Sequence, residues 1–304
     1  MPAIPNPLGA LPFRFRRQRV LVIGCGDVGL RAAAALPRRV RVLALTSSPA
    51  RRGALRERGI TPLTGNLDQP ATLRRLAGLA HRVLHLAPPP GEGPGDPRTG
   101  ALLRALRRRT PPLSLAYGST SGVYGDCQGD WVRETRRVQA RTARGQRRVQ
   151  AEGLVRFFGR SAGVRSSILR IPGIYAPDRE GGTPRDRLLR GTPVLQPDED
   201  VYTNHIHADD LARACVAALW RGAAQRVYHV NDDTQLKMGD YFDLAAGLYG
   251  LPAPRRISRA QAQAELSPVL LSFMSESRRL DNSRMKRELR LRLRYPGVRE
   301  GLQT

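Results

Sequence analysis

Residues 19–30 read RVLVIGCGDVGL, a short apolar run followed by a glycine-rich turn and the start of a second apolar segment. The apolar run predicts a buried β-strand, and residues 30–36 predict a helix. Gly24, Gly26 and Gly29 form the pattern G-x-G-x-x-G in the strand–turn–helix context that it requires. The first glycine permits a tight turn, the second lets the backbone approach a pyrophosphate, and the third lets helix and strand pack closely. The stretch predicts a dinucleotide site; the alternative is an ordinary glycine turn in a β–α unit.

The first turn of the predicted helix offers its backbone amides to the phosphates of a dinucleotide, because the N-terminus of a helix favours anions. Around this turn, the residues expected to contact the cofactor are Gly24, Gly26, Asp27, Val28 and Gly29.

The second predicted strand, residues 40–45, indicates which dinucleotide binds. An NAD site usually places Asp or Glu after this strand, where it accepts a hydrogen bond from the ribose 2′-hydroxyl. Here Thr46, Ser47 and Arg51 follow, and no carboxylate stands among residues 46–52. A charge-assisted hydrogen bond is worth about 1.5–3 kcal/mol, so one guanidinium contact favours NADP(H) roughly ten- to a hundredfold. The sequence predicts NADP in preference to NAD; the alternative is a solvated Arg51 in an arginine-rich chain.

Short apolar strands alternate with helical segments along most of the chain. Beyond the first strand, those predicted are residues 40–45, 60–64, 83–87, 113–117, 166–171 and 226–230. Alternation at this spacing is typical of parallel β–α–β units with helices on both faces of the sheet. The predicted fold class is therefore α/β, a doubly wound parallel sheet of the Rossmann type with a smaller C-terminal substrate lobe.

The organisation predicted from these patterns has three parts. Residues 1–18 form an arm rich in proline and arginine. The dinucleotide-binding domain comprises residues 19–171, completed by 203–231. The substrate lobe comprises residues 172–202 and 232–304, and the substrate is expected between this lobe and the carboxyl edge of the sheet.

Charge is the most unusual feature of the composition. The 304 residues include 51 Lys and Arg against 26 Asp and Glu, a formal net charge of +25. The arginines are spread over nearly every segment, so nonspecific attraction to polyanions is expected but a specific nucleic-acid partner is not. No apolar run approaches the roughly 20 residues of a membrane helix, and the cysteines are isolated and odd in number. We expect a cytoplasmic protein without a membrane partner, a disulfide framework or a zinc site.

Four further segments occur in chain order: GNLD at 65–68, STSGVYG at 119–125, LRIPGIY at 169–175 and NHIHADDL at 204–211. They resemble the G-D-x-x-D, S-S-x-x-V-Y-G, strand-six and I-H-V-D-D-L segments of the extended short-chain dehydrogenase/reductase family, which includes nucleotide-sugar epimerases and dehydratases. With the glycine motif, the resemblance covers the chain from residue 19 to about 233. The stretch ESRR at 276–279 is similar to an atypical branch of the family.

The resemblance implies further contacts with the cofactor. The adenine would lie beside Asn66 and Leu67, where Asn66 replaces the first acid of the family segment. The other contacts implied are Ala87 and Pro88 after the fourth strand, and Pro172 and Gly173 beside the nicotinamide.

The family's catalytic pair is Y-x-x-x-K, in which the tyrosine is the acid/base. Alignment on Glu152 places Arg144 at the tyrosine position and Arg148 at the lysine position. Because arginine keeps its proton in proteins, Arg144 is excluded as a general acid/base. Arg148 can still supply positive charge and donors to the ribose. The family's carbonyl-polarising hydroxyl matches Thr120, which would bond a developing oxyanion.

Other side chains are candidates to replace the missing tyrosine. Tyr124 lies in the matching signature, with Arg148 as the cation that would lower its pKa, and Tyr175 borders the nicotinamide segment. Asp96 stands where the family has an asparagine, and is a candidate to order a water. For each the plain alternative is structural: a packed ring or a helix cap.

The histidines and serines indicate no other chemistry. His205 and His207 are two apart and precede Asp209 and Asp210, but the family match favours a structural role in which one of these aspartates caps the next helix. We therefore predict no metal site. The serines at 119 and 121 lack the G-x-S-x-G elbow of a hydrolase.

Two hypotheses about function follow. The first is an NADP(H)-binding enzyme that transfers hydride at a carbonyl or carbinol of a small-molecule substrate, as an epimerase, dehydratase or reductase, with nucleotide sugars among the candidates. The second is a non-catalytic NADP(H) sensor that kept the fold and lost the chemistry. The resemblance also implies a homodimer, because extended members commonly pair through two helices of each subunit.

Overall fold

The computed structural model of the protein describes residues 17–303. The strands within them are β1 (Arg19–Ile23), β2 (Arg41–Thr46), β3 (Thr61–Thr64), β4 (Arg82–His85), β5 (Ser114–Thr120), β6 (Trp131–Val132), β7 (Arg165–Ile171), β8 (Gly173–Tyr175), β9 (Val194–Leu195), β10 (His205–His207), β11 (Arg226–His229), β12 (Arg256–Ile257) and β13 (Arg279–Leu280). Most of the predicted arm lies outside the described residues.

Seven of these strands form one parallel sheet in the order β11-β7-β5-β4-β1-β2-β3. Ile23 at the end of β1 pairs with Leu45 of β2 on one side and with His85 of β4 on the other. The direction of chain winding reverses between β1 and β4, which is the crevice where ligands bind in open α/β sheets. The predicted fold class, a doubly wound parallel sheet of the Rossmann type, is confirmed.

The α-helices are α1 (Asp27–Ala34), α2 (Arg51–Glu57), α3 (Pro97–Leu106), α4 (Ala143–Ser161), α5 (Arg185–Leu189), α6 (Ala208–Arg221), α7 (Met238–Tyr249), α8 (Arg259–Glu265), α9 (Pro268–Phe273), α10 (Ser283–Glu288) and α11 (Val298–Leu302). None of the helices within residues 17–303 is long and apolar enough to cross a membrane.

Two element boundaries near the glycine turn and β5 differ from prediction. Helix α1 begins three residues early, because Leu30 N–H donates to the Gly26 carbonyl at 2.9 Å and closes the first turn there. Strand β5 runs three residues further than predicted, because its pairing with β7 continues to Thr120 and Ile171. This extension carries Thr120 to the carboxyl edge of the sheet.

Apolar side chains cover both faces of the sheet. On one face β1 and β4 pack with α1 and α6 through residues such as Val22, Ala32 and Leu211. On the other face Leu21 and Leu102 belong to the core that includes α3 and α4. Two-sided burial explains why the strands are continuous apolar runs and do not alternate with polar residues.

A third apolar cluster is built entirely from residues 175–201 and 236–302, including Tyr175, Val194 and Phe242. Both ranges fall within the segments predicted to form the substrate lobe. Part of the C-terminal segment packs elsewhere, because Met285 of α10 and Leu289, the residue that follows α10, are buried in the core of the main sheet.

Candidate active site

The glycine turn after β1 has the geometry that its three glycines predict. Gly24 adopts φ +83°, and a Cβ there would lie 2.4 Å from the backbone nitrogen of Ala87. A Cβ on Gly29 would lie 2.9 Å from the Gly24 carbonyl oxygen. These two positions therefore need glycine so that the turn can pack against β4 and against α1.

The middle glycine has a different environment. A Cβ on Gly26 would meet nothing within 4 Å, so the space above this residue is open. No side chain caps the N-terminus of α1, so its first amides remain available to an anion. The turn thus fits a pyrophosphate. Asp27 directs its carboxylate elsewhere, accepting from Arg31 at 3.0 Å and Arg179 at 3.1 Å.

Arg51 connects the end of β2 with the glycine turn. Its Nη2 donates to the Cys25 carbonyl at 2.6 Å, so the guanidinium lies beside the turn and does not extend freely into solvent. Thr46 is buried, and its Oγ1 accepts from Ser48 N–H at 3.2 Å. Ser47 is exposed at the strand end. Thr46, Ser47 and Arg51, the residues predicted to select the dinucleotide, therefore lie on the side of the glycine turn that faces β2.

The predicted adenine segment lies after β3. Asn66 Oδ1 accepts from Asp68 N–H at 3.0 Å, and Leu67 packs against the core beside α3. Asp68 accepts both of its 2.7 Å hydrogen bonds from Arg98, which ties the segment to α3. At the end of β4, Ala87 is buried against the glycine turn and Pro88 is exposed.

A cavity of about 470 Å³ opens at the carboxyl edge of the sheet, and Val28 of α1 lies in its wall. The end of β5 contributes Thr120, and the segment after β7 contributes Pro172 and Gly173. Residues 202–205, Met238 and residues from 272 to 278 complete the wall. The cavity therefore lies between the sheet edge and the segments predicted to form the substrate lobe.

Thr120 lies where β5 meets a 3-10 helix, residues Ser121–Tyr124. Its Oγ1 accepts from Gly122 N–H at 3.2 Å, which orients the hydroxyl, and the side chain lines the cavity. The hydroxyl proton stays available to a substrate oxygen.

Both arginines of the altered catalytic pair line the cavity. Arg148 Nη1 donates to the Gly118 carbonyl at 2.6 Å and to the Tyr117 hydroxyl at 3.0 Å, so the guanidinium is anchored to β5. Arg144 is exposed near the start of α4, with its guanidinium carbon 4.9 Å from the ring centre of Phe273. Two fixed positive charges thus face the cavity at the positions of the family's tyrosine and lysine.

The structure contradicts the prediction of Tyr124 as the catalytic acid. Its side chain is buried and absent from the cavity wall, and its hydroxyl contacts His229 Nε2 at 2.5 Å and accepts from Arg170. Burial raises its pKa to about 12 even with the Arg170 guanidinium beside it. Tyr124 ends the 3-10 helix Ser121–Tyr124, and its ring packs in a core with Val123 and Cys127, which sequence spacing does not reveal.

Two other candidates also have structural positions. Tyr175 is buried outside the cavity wall and donates to the Gly297 carbonyl at 3.1 Å. Asp96 is the N-cap of α3 and accepts from the Thr99 amide at 2.9 Å and its hydroxyl at 2.6 Å. For Asp96 this is the helix-cap alternative stated above.

The histidine pair has a partly different role from the predicted one. His207, and neither Asp209 nor Asp210, caps α6, because its Nδ1 accepts the Asp209 amide at 3.2 Å. Asp210 instead accepts the amides of Arg294 and Tyr295. Across residues 17–303, no group of three or more His, Cys, Asp or Glu side chains is arranged to hold a metal ion.

The C-terminal segment contributes residues to the cavity that carried no catalytic prediction. Glu276 and Arg278 line it, and the two side chains are only 12% and 11% exposed. Arg278 Nη1 donates to Glu276 Oε2 at 2.9 Å and to the Gly125 carbonyl at 2.8 Å. The sequence signal for these two residues was the ESRR stretch at 276–279. This stretch lies about 150 residues after the STSGVYG signature, so the sequence did not show that the two segments are in contact.

The sequence model of the NAD dependent epimerase/dehydratase family matches residues 20–231. No curated protein matches the chain. Among solved structures, a functionally unknown conserved protein from Silicibacter pomeroyi is 30% identical with a TM-score of 0.78, over 94% of this chain and 97% of that one.

Two further solved structures show the same fold at lower identity. UDP-glucuronic acid 4-epimerase from Bacillus cereus, in complex with NAD, is 20% identical with a TM-score of 0.73, over 94% of this chain and 96% of that one. UDP-glucose 4-epimerase from Thermotoga maritima, with UDP-glucose, is 18% identical with a TM-score of 0.76 and the same coverage. The resemblance to the extended short-chain dehydrogenases/reductases is thereby confirmed, and the chain belongs to the NAD-dependent epimerase/dehydratase family.

Proposed function

We propose that this protein is an NADP(H)-dependent enzyme that acts on a carbinol or carbonyl carbon of a small molecule, as an epimerase, dehydratase or reductase. The observation that carries the proposal is the cavity at the carboxyl edge of the sheet, next to the glycine turn. Thr120 and Arg148 line this cavity together with residues of the C-terminal segment. Nucleotide sugars are the proposed substrate class, because structural neighbours hold UDP-sugars.

The residues that would hold the dinucleotide lie along the carboxyl ends of β1, β2, β4 and β7. The amides of Asp27 and Val28 would bind the pyrophosphate, and Pro172 and Gly173 would border the nicotinamide. When bound, the dinucleotide supplies a hydride acceptor or donor. Arg148 would donate to the ribose, because its charge and donors remain where the family has lysine.

Thr120 would act on the substrate oxygen. Its hydroxyl is oriented by the Gly122 amide, so it can donate to a carbonyl and to the negative charge that develops there. Arg144 would add a fixed positive charge at the cavity mouth, but it cannot move a proton.

NADP(H) is proposed in preference to NAD(H) because Arg51 is held beside the glycine turn by its 2.6 Å hydrogen bond to Cys25. A guanidinium in this position can pair with a ribose 2′-phosphate, which NAD lacks. We further propose that the protein is cytoplasmic and forms a homodimer. Sedimentation of the purified protein tests the homodimer.

The second candidate function, a non-catalytic NADP(H) sensor, is favoured by one observation: both Arg144 and Arg148 stand in the cavity in place of the proton-transferring pair. Calorimetric titration with NADPH and NADH, followed by single-turnover oxidation of bound NADPH against a panel of UDP-sugar ketones and simple ketones, separates the two. Tight NADPH binding with oxidation by one panel member supports the enzyme. Tight binding with complete inertness supports the sensor, and no heat from either dinucleotide refutes both.

A further inference from the structure

The cavity lacks the proton-transferring tyrosine of the family, yet a hydride step at a carbinol also moves a proton. The fixed cations Arg144, Arg148 and Arg278 line the cavity and are excluded from this task. Two neutral candidates, Tyr202 and His205, also line it. The His205 ring is buried against the Tyr241 ring, with 4.2 Å between the two ring centroids.

Glu276 contributes the single carboxylate among the residues that line this cavity. A Cβ built on Gly122 would lie 3.8 Å from Glu276 Oε2 and 3.6 Å from Thr120 Oγ1. The carboxylate and the hydroxyl thus flank one point on the wall beside the start of α4. A substrate oxygen that lies between the two side chains would be able to accept a hydrogen bond from Thr120 and to pass its proton to the carboxylate.

The backbone around Glu276 is held by the loop that follows the signature. Cys127 N–H and Gly129 N–H both donate to the Ser277 carbonyl, at 3.0 and 3.1 Å, and Ser277 N–H donates to Asp126 Oδ1 at 2.8 Å. Arg278 pairs with the carboxylate itself. These contacts give the carboxylate a defined position, which proton transfer requires.

We propose that Glu276 is the general acid/base of this site, a catalytic residue supplied by the C-terminal segment in place of the family's tyrosine. In the oxidative direction the substrate C–H bond breaks and its electron pair leaves with the hydrogen as hydride to the oxidised dinucleotide. The substrate O–H bond breaks, its proton passes to Glu276 Oε2, and the C=O double bond forms. The reverse step returns that proton to the carbonyl oxygen. The inference rests on the proposed function.

The first test needs no turnover. Glutamate is labelled with carbon-13 at the side-chain carboxyl carbon, and the Glu276 resonance is assigned by its loss in Glu276→Gln. The oxidised nicotinamide carries a positive charge and the reduced one does not, so the Glu276 carboxyl resonance should differ in chemical shift between the NADP⁺ and NADPH complexes at one pH. Glu265, which pairs with Arg255 on the surface, is the matched control, and its resonance should be the same in both complexes.

The second test uses the panel ketone that the wild type reduces. Glu276→Gln should lower kcat by about 10²- to 10⁴-fold with NADPH affinity unchanged within about twofold, and Glu276→Asp should recover part of the rate. Glu265→Gln, a change on the surface away from the cavity, should retain the wild-type rate. Equal chemical shifts of Glu276 in the two complexes, or a wild-type kcat in Glu276→Gln, overturns the inference. Failure of the wild type to bind either dinucleotide instead refutes the proposed function, and the inference with it.

Discussion

Replacement of Glu152 by Gln tests the account of the buried charges behind the cavity. The Glu152 carboxylate, 4% exposed, accepts from Arg170 Nε at 3.0 Å and Nη2 at 2.7 Å, and Arg170 is 3% exposed. Ser119, which lines the cavity, donates to the same carboxylate at 2.7 Å. The amide keeps the shape and one acceptor but removes the charge, so the Arg170 guanidinium stays buried without its counter-ion. Loss of one partner of a buried pair costs about 3–5 kcal/mol.

The measurement is the free energy of unfolding from urea titration followed by circular dichroism. The double variant with Glu152→Gln and Arg170→Met removes both charges and leaves no unpaired charge buried. Its loss in free energy of unfolding should therefore be smaller, by about 2 kcal/mol or more, than the summed losses of the two single variants. The exposed pair of Glu265 and Arg255 is the control, and Glu265→Gln should change the free energy by no more than about 0.5 kcal/mol. A cost below about 1 kcal/mol for Glu152→Gln would show that water or rearrangement solvates Arg170, and would refute this reasoning.

Three further outcomes are expected. Thr46→Asp should reverse the preference for NADPH over NADH in calorimetric titration, because a carboxylate repels the 2′-phosphate and accepts from a 2′-hydroxyl; an unchanged preference would exclude this strand end as the selectivity site. Gly24→Ala should abolish measurable dinucleotide binding, because its Cβ would lie 2.4 Å from the backbone nitrogen of Ala87; retained affinity would mean that the turn can shift. Burial lowers the pKa of both His85 and His229 to about 3. In the unfolded chain the histidine pKa is about 6.5, so below that pH the unfolded chain binds protons that the folded protein does not. The free energy of unfolding should therefore fall by about 2 kcal/mol per histidine between pH 7 and pH 5. Urea titrations of the wild type and of His85→Gln at the two pH values measure this loss, and an equal fall in both proteins would contradict the expectation for His85.

Local patterns predicted the dinucleotide-binding half of the protein well. The strand at Arg19–Ile23 coincides with the apolar run before the glycine turn. The role of Gly29 could be interpreted from spacing, because its close neighbour Gly24 belongs to the same β–α unit, whereas the close approach of Gly24 to Ala87 after β4 depends on the fold. The start of α1 was missed because a glycine N-cap gives no side-chain signal.

The candidate catalytic residues were predicted less well, because their positions depend on contacts between distant segments. Tyr124 looked accessible from its motif, yet it contacts His229 about a hundred residues later in the chain. Glu276 carried no catalytic prediction, although it lines the same cavity as Thr120. The family resemblance predicted Arg144 at the position of the tyrosine, but it gave no indication that Glu276 lines the same cavity.

The amino-acid sequence by itself determined the order along the chain of the seven strands of the main sheet and the position of the glycine turn, because each depends on residues that are neighbours along the chain. Only the tertiary structure decided which polar groups face the cavity. Burial and long-range hydrogen bonds turn Tyr124 into the core and hold Glu276 beside Thr120. These positions result from packing between segments that are distant along the chain, for which periodicity and spacing carry no signal.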